Sequence, residues 1–207
     1  MARIVLVGEA MLELSEHRGA WRLGYGGDTF NTAVHLARAG HDVGYLTAAG
    51  TDPLSAGLKA RLSGEGISTA LVLDHPARPV GLYAIGTDSQ GERSFTYWRE
   101  GSAAREMFAL PAIEAAVQSA RTAELLGFSL ISLAILPPPG REALLALARE
   151  VRSRGGQVAF DGNYRARLWD APGEAREWRD RAIASADISL PTLDDEIALG
   201  LPDAAAV

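Results

Sequence analysis

The sequence contains no cysteine, which excludes disulfide bonds and thiolate metal ligands and is compatible with a reducing cytoplasm. It also contains no apolar run long enough to span a membrane. The nearest candidate, LLGFSLISLAILPPPG (125–140), is short and ends in prolines, so it predicts a buried strand followed by a loop. The four histidines show no ligand spacing, and we therefore predict no histidine metal site.

Positively charged residues are in the minority: the sequence has 20 Lys and Arg against 26 Asp and Glu, which gives a formal net charge of −6. This balance argues against nucleic acid and anionic membranes as partners. A small anionic ligand stays open, because a few well-placed arginines can outweigh the global sign. The opening residues, MARIVLVGEAML, reach a glutamate too early for a secretory signal, so we expect a cytoplasmic protein.

Strand and helix patterns alternate along most of the chain, which predicts an α/β fold with a parallel sheet covered by helices. The predicted strands are at 3–8, 43–50 and 186–192 and within 157–165, where a buried strand runs into a polar loop. The predicted helices follow Gly27 and lie at 53–66, 112–123, 140–156 and from 193 onward. The 207 residues suffice for one sizeable domain.

A β-rich insertion interrupts this alternation. Residues 78–86 and 92–100, separated by the turn-forming TDSQG, predict a hairpin that covers one edge of the body. Tyr83, Tyr97 and Arg99 form a candidate cluster there, since tyrosines offer an apolar wall with a hydroxyl tip that suits a sugar-like ligand. The alternative is ordinary packing with an arginine that extends to solvent.

The second candidate cluster is the glycine pair in GYGGDTFNTAVHLARAG (24–40). Gly26 and Gly27 permit unusual backbone conformations and the close approach of a ligand to a helix N-terminus. Asp28 or Thr29 can cap that helix, and Asn31 projects from its first turn. The alternative is a turn with an ordinary cap. The phosphate-binding patterns GxxxxGK and GxGxxG are both absent at this position.

The third candidate cluster is DGNYR (161–165), which follows a buried strand. Asp161, Asn163 and Arg165 would lie at the carboxyl end of the sheet, where α/β proteins bind ligands. A solvated loop with a helix cap is the alternative. Glu9 and Glu13, near the end of the first strand, could accept hydrogen bonds from ligand hydroxyls or simply be solvated.

The glycine stretch and the following VGYLTAAGTDPLSAGLKARLSGEGI resemble the first signature of the ribokinase-like (PfkB) carbohydrate kinases. Within that family, GEAMLEL, FTYWREGSAA, DGNYRARLW and LPTLDDE are most similar to kinases of 2-keto-3-deoxygluconate. The resemblance covers essentially the whole chain. It implies a ribokinase-like α/β body with a mostly parallel sheet, a small β lid inserted at about 10–25 and 68–100, and a homodimer that pairs through the lid. It also implies ATP, Mg²⁺ and phosphorylation of the 6-hydroxyl of a sugar acid.

The same resemblance implies roles for individual residues. It implies an acceptor site lined by Gly26, Gly27, Asp28, Thr29, Phe30, Asn31, Tyr83, Tyr97, Trp98, Arg99 and Arg165. It implies nucleotide contacts from Asn163, Tyr164 and Arg165. The Asn-x-x-Glu that the family places near magnesium stands here as Thr192-x-x-Asp195, so Asp195 is expected to hold Mg²⁺ through water.

The family's GAGD segment, which supplies an anion hole and the catalytic base, does not occur in the 207 residues. We therefore expect the catalytic base to lie beyond Val207 and assign no catalytic residue within the chain. On this expectation the chain represents the N-terminal two-thirds of a kinase and is inactive alone. Two alternatives stay open: a neutral-sugar kinase such as fructokinase, and a catalytically dead sugar-acid-binding or dimerisation module. Arg99 and Arg165 favour an acid, because a neutral sugar does not need two guanidinium groups.

Overall fold

The computed structural model describes residues 3–17, 19–87 and 90–200. Within them the strands are β1 Ile4–Val7, β2 Met11–His17, β3 Ala20–Gly26, β4 Val43–Ala49, β5 Val72–Asp74, β6 Gly81–Thr87, β7 Arg93–Trp98, β8 Leu125–Ser129, β9 Gln157–Asp161 and β10 Ile188–Leu190. The α-helices are α1 Asp28–Arg38, α2 Pro53–Gly64, α3 Ile113–Ala120, α4 Leu130–Ile135, α5 Pro138–Ser153, α6 Pro172–Ser185 and α7 Leu193–Ala198. Two 3₁₀ helices lie at Ala103–Ala109 and Ala166–Leu168.

Six strands form the sheet of the body, in the order β10-β9-β8-β1-β4-β5, with parallel pairing throughout. Its central strands are continuous apolar runs because helices cover both faces; every residue of β4 is buried. One core cluster lies between the sheet and α3–α6, and a second lies between the sheet and α1 and α2. The predicted α/β class with a parallel sheet is confirmed.

The other four strands form a separate sheet, the lid, in the order β3-β2-β6-β7. The predicted hairpin is present as β6 and β7, which pair antiparallel. The second lid segment is shorter than predicted at 68–100, because β5 pairs with β4 in the body and the lid strand begins only at Gly81.

Two predicted features lie partly outside the described residues. The turn predicted at TDSQG includes residues 88 and 89, and the last predicted segment includes 201–207. Val207, beyond which the catalytic base is expected, belongs to that last segment. The position of the base therefore stays a prediction.

The apolar stretch at 125–140 differs from the prediction. Its first part is the buried strand β8, but the rest folds as α4 rather than as a loop, and α5 begins within the prolines at Pro138. Ser129 explains the switch, since its hydroxyl accepts a hydrogen bond from the Ser132 amide and caps α4. Across residues 3–17, 19–87 and 90–200, none of the helices has the length and apolarity required to cross a bilayer.

Candidate functional site

A cleft of about 680 Å³ separates the lid from the carboxyl ends of the body strands. It opens beside β1, where the strand order reverses: the chain continues to β4 and β5 on one side and to β8, β9 and β10 on the other. Such a switch point is the usual ligand site of an open α/β sheet. The cleft is lined by Glu9, Met11, Gly27, Asp28, Asn31, Tyr83, Phe95, Tyr97, Arg99, Ile131, Asn163, Arg165, Ala166 and Arg167.

Of the glycine pair, Gly27 lines this cleft and Gly26 does not, and both glycines are needed for close contacts within the chain. Gly27 has φ 140° and ψ 149°, a conformation that side chains disfavour, and a Cβ there would overlap the carbonyl oxygen of Glu9. A Cβ on Gly26 would overlap the hydroxyl of Tyr83. Gly27 is itself the N-cap of α1 and offers no side-chain cap, so the prediction that Asp28 or Thr29 caps this helix was wrong.

Asp28, the first residue of α1, links this helix to the end of β8 and to the loop after β9. Its Oδ1 accepts a hydrogen bond from the Thr29 amide at 2.8 Å. Its Oδ2 accepts from the Ser129 hydroxyl at 2.5 Å and from the Asn163 side-chain amide at 3.1 Å. The carboxylate therefore holds a fixed orientation at the carboxyl ends of β8 and β9, and the exposed Asn31 stands beside it in the same cleft.

Glu9 lies where the four chain crossings between body and lid converge. Its carboxylate accepts hydrogen bonds from the Arg99 guanidinium and the Ser102 hydroxyl, which follow the last lid strand. Its Oε1 also lies against Gly81, where the chain enters β6, and its carbonyl lies against Gly27, where the chain leaves β3. The Glu9 and Arg99 side chains are only 1% and 5% exposed. Arg99 therefore borders the cleft, but the buried carboxylate of Glu9 already compensates its positive charge.

Aromatic rings of the lid form the wall opposite α1. Phe95, Tyr97 and Arg99 occupy alternate positions in and just after β7, which places them on one face, and all three line the cleft. The Tyr83 and Tyr97 rings stack with centroids 5.7 Å apart. The Tyr83 hydroxyl donates to Glu13. Burial, together with the Glu13 carboxylate, raises the pKa of Tyr83 above its ordinary value.

The loop after β9 brings charged groups to the other rim of the cleft. Arg165 donates to the Tyr164 carbonyl at 2.6 Å and lies 3.7 Å from a carboxylate oxygen of Asp195. Asp195 sits in the first turn of α7, which Thr192 caps. Burial raises the pKa of Asp161, and the nearby Asp28 and Asp195 carboxylates add to that shift. Carboxylates of this kind suit water-mediated Mg²⁺, although the described part of the chain gathers no group of three or more ligands of the kind that hold a metal directly.

Four of the predicted site residues have side chains that point away from the cleft. Thr29 is buried and shares a hydrogen bond of 2.9 Å with the hydroxyl of Tyr45, and Phe30 packs edge-on against the same ring. Tyr164 is buried in the core of the body. Trp98 lies on the opposite face of β7 from Tyr97 and is 55% exposed, because neighbouring residues of a strand point to opposite sides.

Other residues of the cleft were not predicted. Ser129 does not line the cleft itself but holds Asp28 in place; it ends a buried strand, so the carboxyl-end rule that identified Asn163 could also have found it. Ile131 lies in the first turn of α4, a helix that the sequence did not reveal. Arg167 lies two residues beyond Arg165 in the same segment, and the second arginine of YRARLW was its only signal.

Comparison with known proteins agrees with this geometry. The profile of the pfkB family carbohydrate kinases matches residues 1–202. Proteins named 2-dehydro-3-deoxygluconokinase from Escherichia coli K12 and Dickeya dadantii are 43% and 42% identical, and their alignments cover 95% and 93% of this chain but 65% and 64% of those proteins. The chain thus spans just under two-thirds of the length of these relatives.

Solved structures give the same result. A PfkB protein from Polaromonas superposes with a TM-score of 0.86 at 27% identity, covering 96% of this chain and 68% of that one. A 2-dehydro-3-deoxygluconokinase from Thermotoga maritima superposes with a TM-score of 0.80 at 25% identity, covering 95% and 61%. The family profile spans nearly all of the described fold, and the cleft lies at its switch point: the chain belongs to the pfkB family of carbohydrate kinases.

Proposed function

We propose that the protein is a sugar-acid kinase that transfers the γ-phosphate of ATP to the 6-hydroxyl of 2-keto-3-deoxygluconate, also called 2-dehydro-3-deoxygluconate. The observation that carries the proposal is the cleft, which combines the oriented carboxylate of Asp28 and the side chain of Asn31 with three arginines. The relatives named for this activity, at 39–43% identity, support it. The fructokinase of Klebsiella pneumoniae is 28% identical, which makes a neutral-sugar kinase the weaker alternative.

The residues of the chain have distinct tasks in this proposal. Asp28 and Asn31 orient acceptor hydroxyls, while Tyr83 and Tyr97 cover the sugar and exclude water. Arg165 would bind between the acceptor and the ATP phosphates, and Asp195 would hold Mg²⁺ through water. Mg²⁺, when bound, neutralises phosphate charge. Phosphoryl transfer depends chiefly on such positioning and charge stabilisation rather than on covalent chemistry by the protein.

We infer further that residues 1–207 alone bind the acceptor but catalyse poorly, because they contain no GAGD segment and the base is expected beyond Val207. Calorimetric titration with 2-keto-3-deoxygluconate and with fructose, followed by an ADP-release assay with ATP and Mg²⁺, tests both statements. We expect tighter binding of the acid and turnover far below the roughly 1–100 per second of typical kinases. Tighter binding of fructose would favour the neutral-sugar alternative, and turnover in the usual range would refute the inferred inactivity.

The outer face of the lid supports a homodimer, which is part of the same proposal. Trp21, Leu23 and Trp98 are more than half exposed on the face of the lid sheet that points away from the cleft. Exposed aromatic and aliphatic side chains of this kind are typical of subunit interfaces. Sedimentation velocity on the same preparation should give the mass of two chains; a single species with the mass of one chain would contradict the dimer.

A further inference from the structure

Helix α2 has a glycine in its interior, and an aromatic ring of the lid lies directly over it. Gly57 is the fifth residue of this helix of 12 residues. A Cβ at this position would overlap the hydroxyl oxygen of Tyr25, which belongs to β3, and would lie 3.5 Å from the ring carbon that bears that hydroxyl. Glycine inside a helix is destabilising relative to alanine. At Gly57 the missing side chain leaves the space that the Tyr25 hydroxyl occupies.

The helix under Tyr25 is firmly fixed to the body. Asp52 caps its N-terminus, and its Leu58 and Leu62 are buried in the core between this helix and the sheet. Tyr25 is partly buried against the same core. Its hydroxyl forms no hydrogen bond with another residue of the ranges 3–17, 19–87 and 90–200. Because α2 is held from below, a side chain at Gly57 would displace the tyrosine ring rather than the helix.

Tyr25 connects this contact to the acceptor cleft without entering it. It stands two positions before Gly27, near the end of β3, and pairs with Leu12 of β2. By alternation along the strand it shares a face with Leu23, the face of the lid that points away from the cleft. A displaced ring would therefore move the end of β3, and with it the glycine turn and the carboxylate of Asp28.

We propose that Gly57 and Tyr25 form a seat that sets the position of the lid strand β3, and hence of the turn at Gly27, relative to the acceptor. Both are positioning residues, since neither lines the cleft and both act through the backbone that follows Tyr25. The identity of the ligand in this inference rests on the proposed sugar-acid kinase function. Because the seat does not touch the ligand, its loss should weaken binding of a sugar acid and of a neutral sugar by similar factors.

Gly57→Ala tests this inference, because it adds one methyl group where the Tyr25 hydroxyl lies. Gly64→Ala is the matched control, since it makes the same change in the same helix at a position where a Cβ meets no atom within 4 Å. Calorimetry measures Kd for 2-keto-3-deoxygluconate and for fructose. Gly57→Ala should weaken binding roughly two- to thirtyfold, the range of substitutions that act on a site through packed neighbours. Gly64→Ala should change it by less than about twofold.

Tyr25→Phe provides a rescue that a merely structural role of Gly57 would not give. Phenylalanine removes the overlapping oxygen, and the remaining ring carbon, 3.5 Å from the new methyl group, is at ordinary van der Waals distance. The double variant Tyr25→Phe/Gly57→Ala should therefore bind the sugar acid within about twofold of Tyr25→Phe alone. General damage to α2 by the new methyl group would persist in the double variant.

Hydrogen exchange of the ligand-free protein gives a second measurement that does not depend on the ligand. Backbone amides of β3 should exchange faster in Gly57→Ala than in Gly64→Ala and slow again in the double variant. Sugar-acid affinity in Gly57→Ala equal to that in Gly64→Ala, or a double variant as weak as Gly57→Ala, would overturn the seat and leave the sugar-acid function standing. A wild type that does not bind 2-keto-3-deoxygluconate would overturn the proposed function. In that case equal exchange of β3 in the two glycine variants would overturn the seat as well, and faster exchange in Gly57→Ala would support it.

Discussion

Removal of the buried arginine at the junction of body and lid should destabilise the protein strongly. Glu9 and Arg99 are almost completely buried, and the Glu9 carboxylate has two side-chain partners, Arg99 and Ser102. The change Arg99→Met leaves the carboxylate with the serine alone, inside the protein and without a counter-charge. Breaking one side of a buried ion pair typically costs about 3–5 kcal/mol, against a total stability of about 5–15 kcal/mol.

A loss of this size is easily measured by urea unfolding and by thermal melting. For a chain of this length, about 2–4 °C are lost per kcal/mol, so the melting temperature should fall by roughly 6–20 °C. Arg3→Met is the matched control, because Arg3 pairs with Glu124 on the surface, where the two side chains are 67% and 61% exposed. Such exposed pairs contribute about 0–1 kcal/mol.

The double variant Glu9→Gln/Arg99→Met identifies the cause of the loss. It removes both charges, and glutamine can still accept the hydrogen bond of Ser102. If an unpaired charge is the cause, the double variant should be more stable than Arg99→Met alone, and the cycle should give a coupling energy well above about 1 kcal/mol. Strictly additive losses, or an Arg99→Met variant as stable as Arg3→Met, would refute the reasoning. Nε of Arg99 has no hydrogen-bond partner among the described residues, which makes the arginine itself costly to bury.

This junction also shows where sequence reasoning reaches its limit. The strands β1 and β4 and the hairpin of β6 and β7 were predictable because each has a local signal, a continuous apolar run or period-two alternation with a turn. The helix α4 was not, since a short apolar run fits a loop, a strand or a helix equally well.

The residues of the candidate site also differ in whether a local sequence signal could predict their place. The carboxyl-end rule correctly indicated that Asn163 lies in the cleft, because it needs only the order of strands and helices. Arg99 and Glu9 lie 90 positions apart in the sequence, so neither hydrophobic periodicity nor a turn signal could predict their ion pair. Arg99 was predicted to bind the ligand's carboxylate. The structure adds its ion pair with Glu9, and its contact with a ligand stays a prediction.

Two further substitutions test the backbone and the charges around the cleft. Gly27→Ala should cost about 2–3 kcal/mol in urea unfolding, because its conformation is restricted to glycine and a Cβ would overlap the Glu9 carbonyl. Gly66→Ala, at φ 77° in open space, should cost only about 1–2 kcal/mol, and equal losses would contradict the overlap. Asp161→Asn should stabilise the protein at pH 7, because burial raises the pKa of Asp161 and disfavours the charged carboxylate in the folded state. The sign follows from proton binding: between the unfolded and folded pKa values the folded state binds more protons, so the stability of the wild type falls as pH rises through that window. Asparagine keeps an oxygen for the Asn163 amide, which bonds Asp161 at 3.3 Å, but carries no charge. The advantage of Asp161→Asn in melting temperature should therefore shrink as pH falls and vanish below the unfolded pKa of about 3.9. An advantage that is equally large at low pH, or a loss of stability at pH 7, would show that the carboxylate of Asp161 is not penalised by its burial.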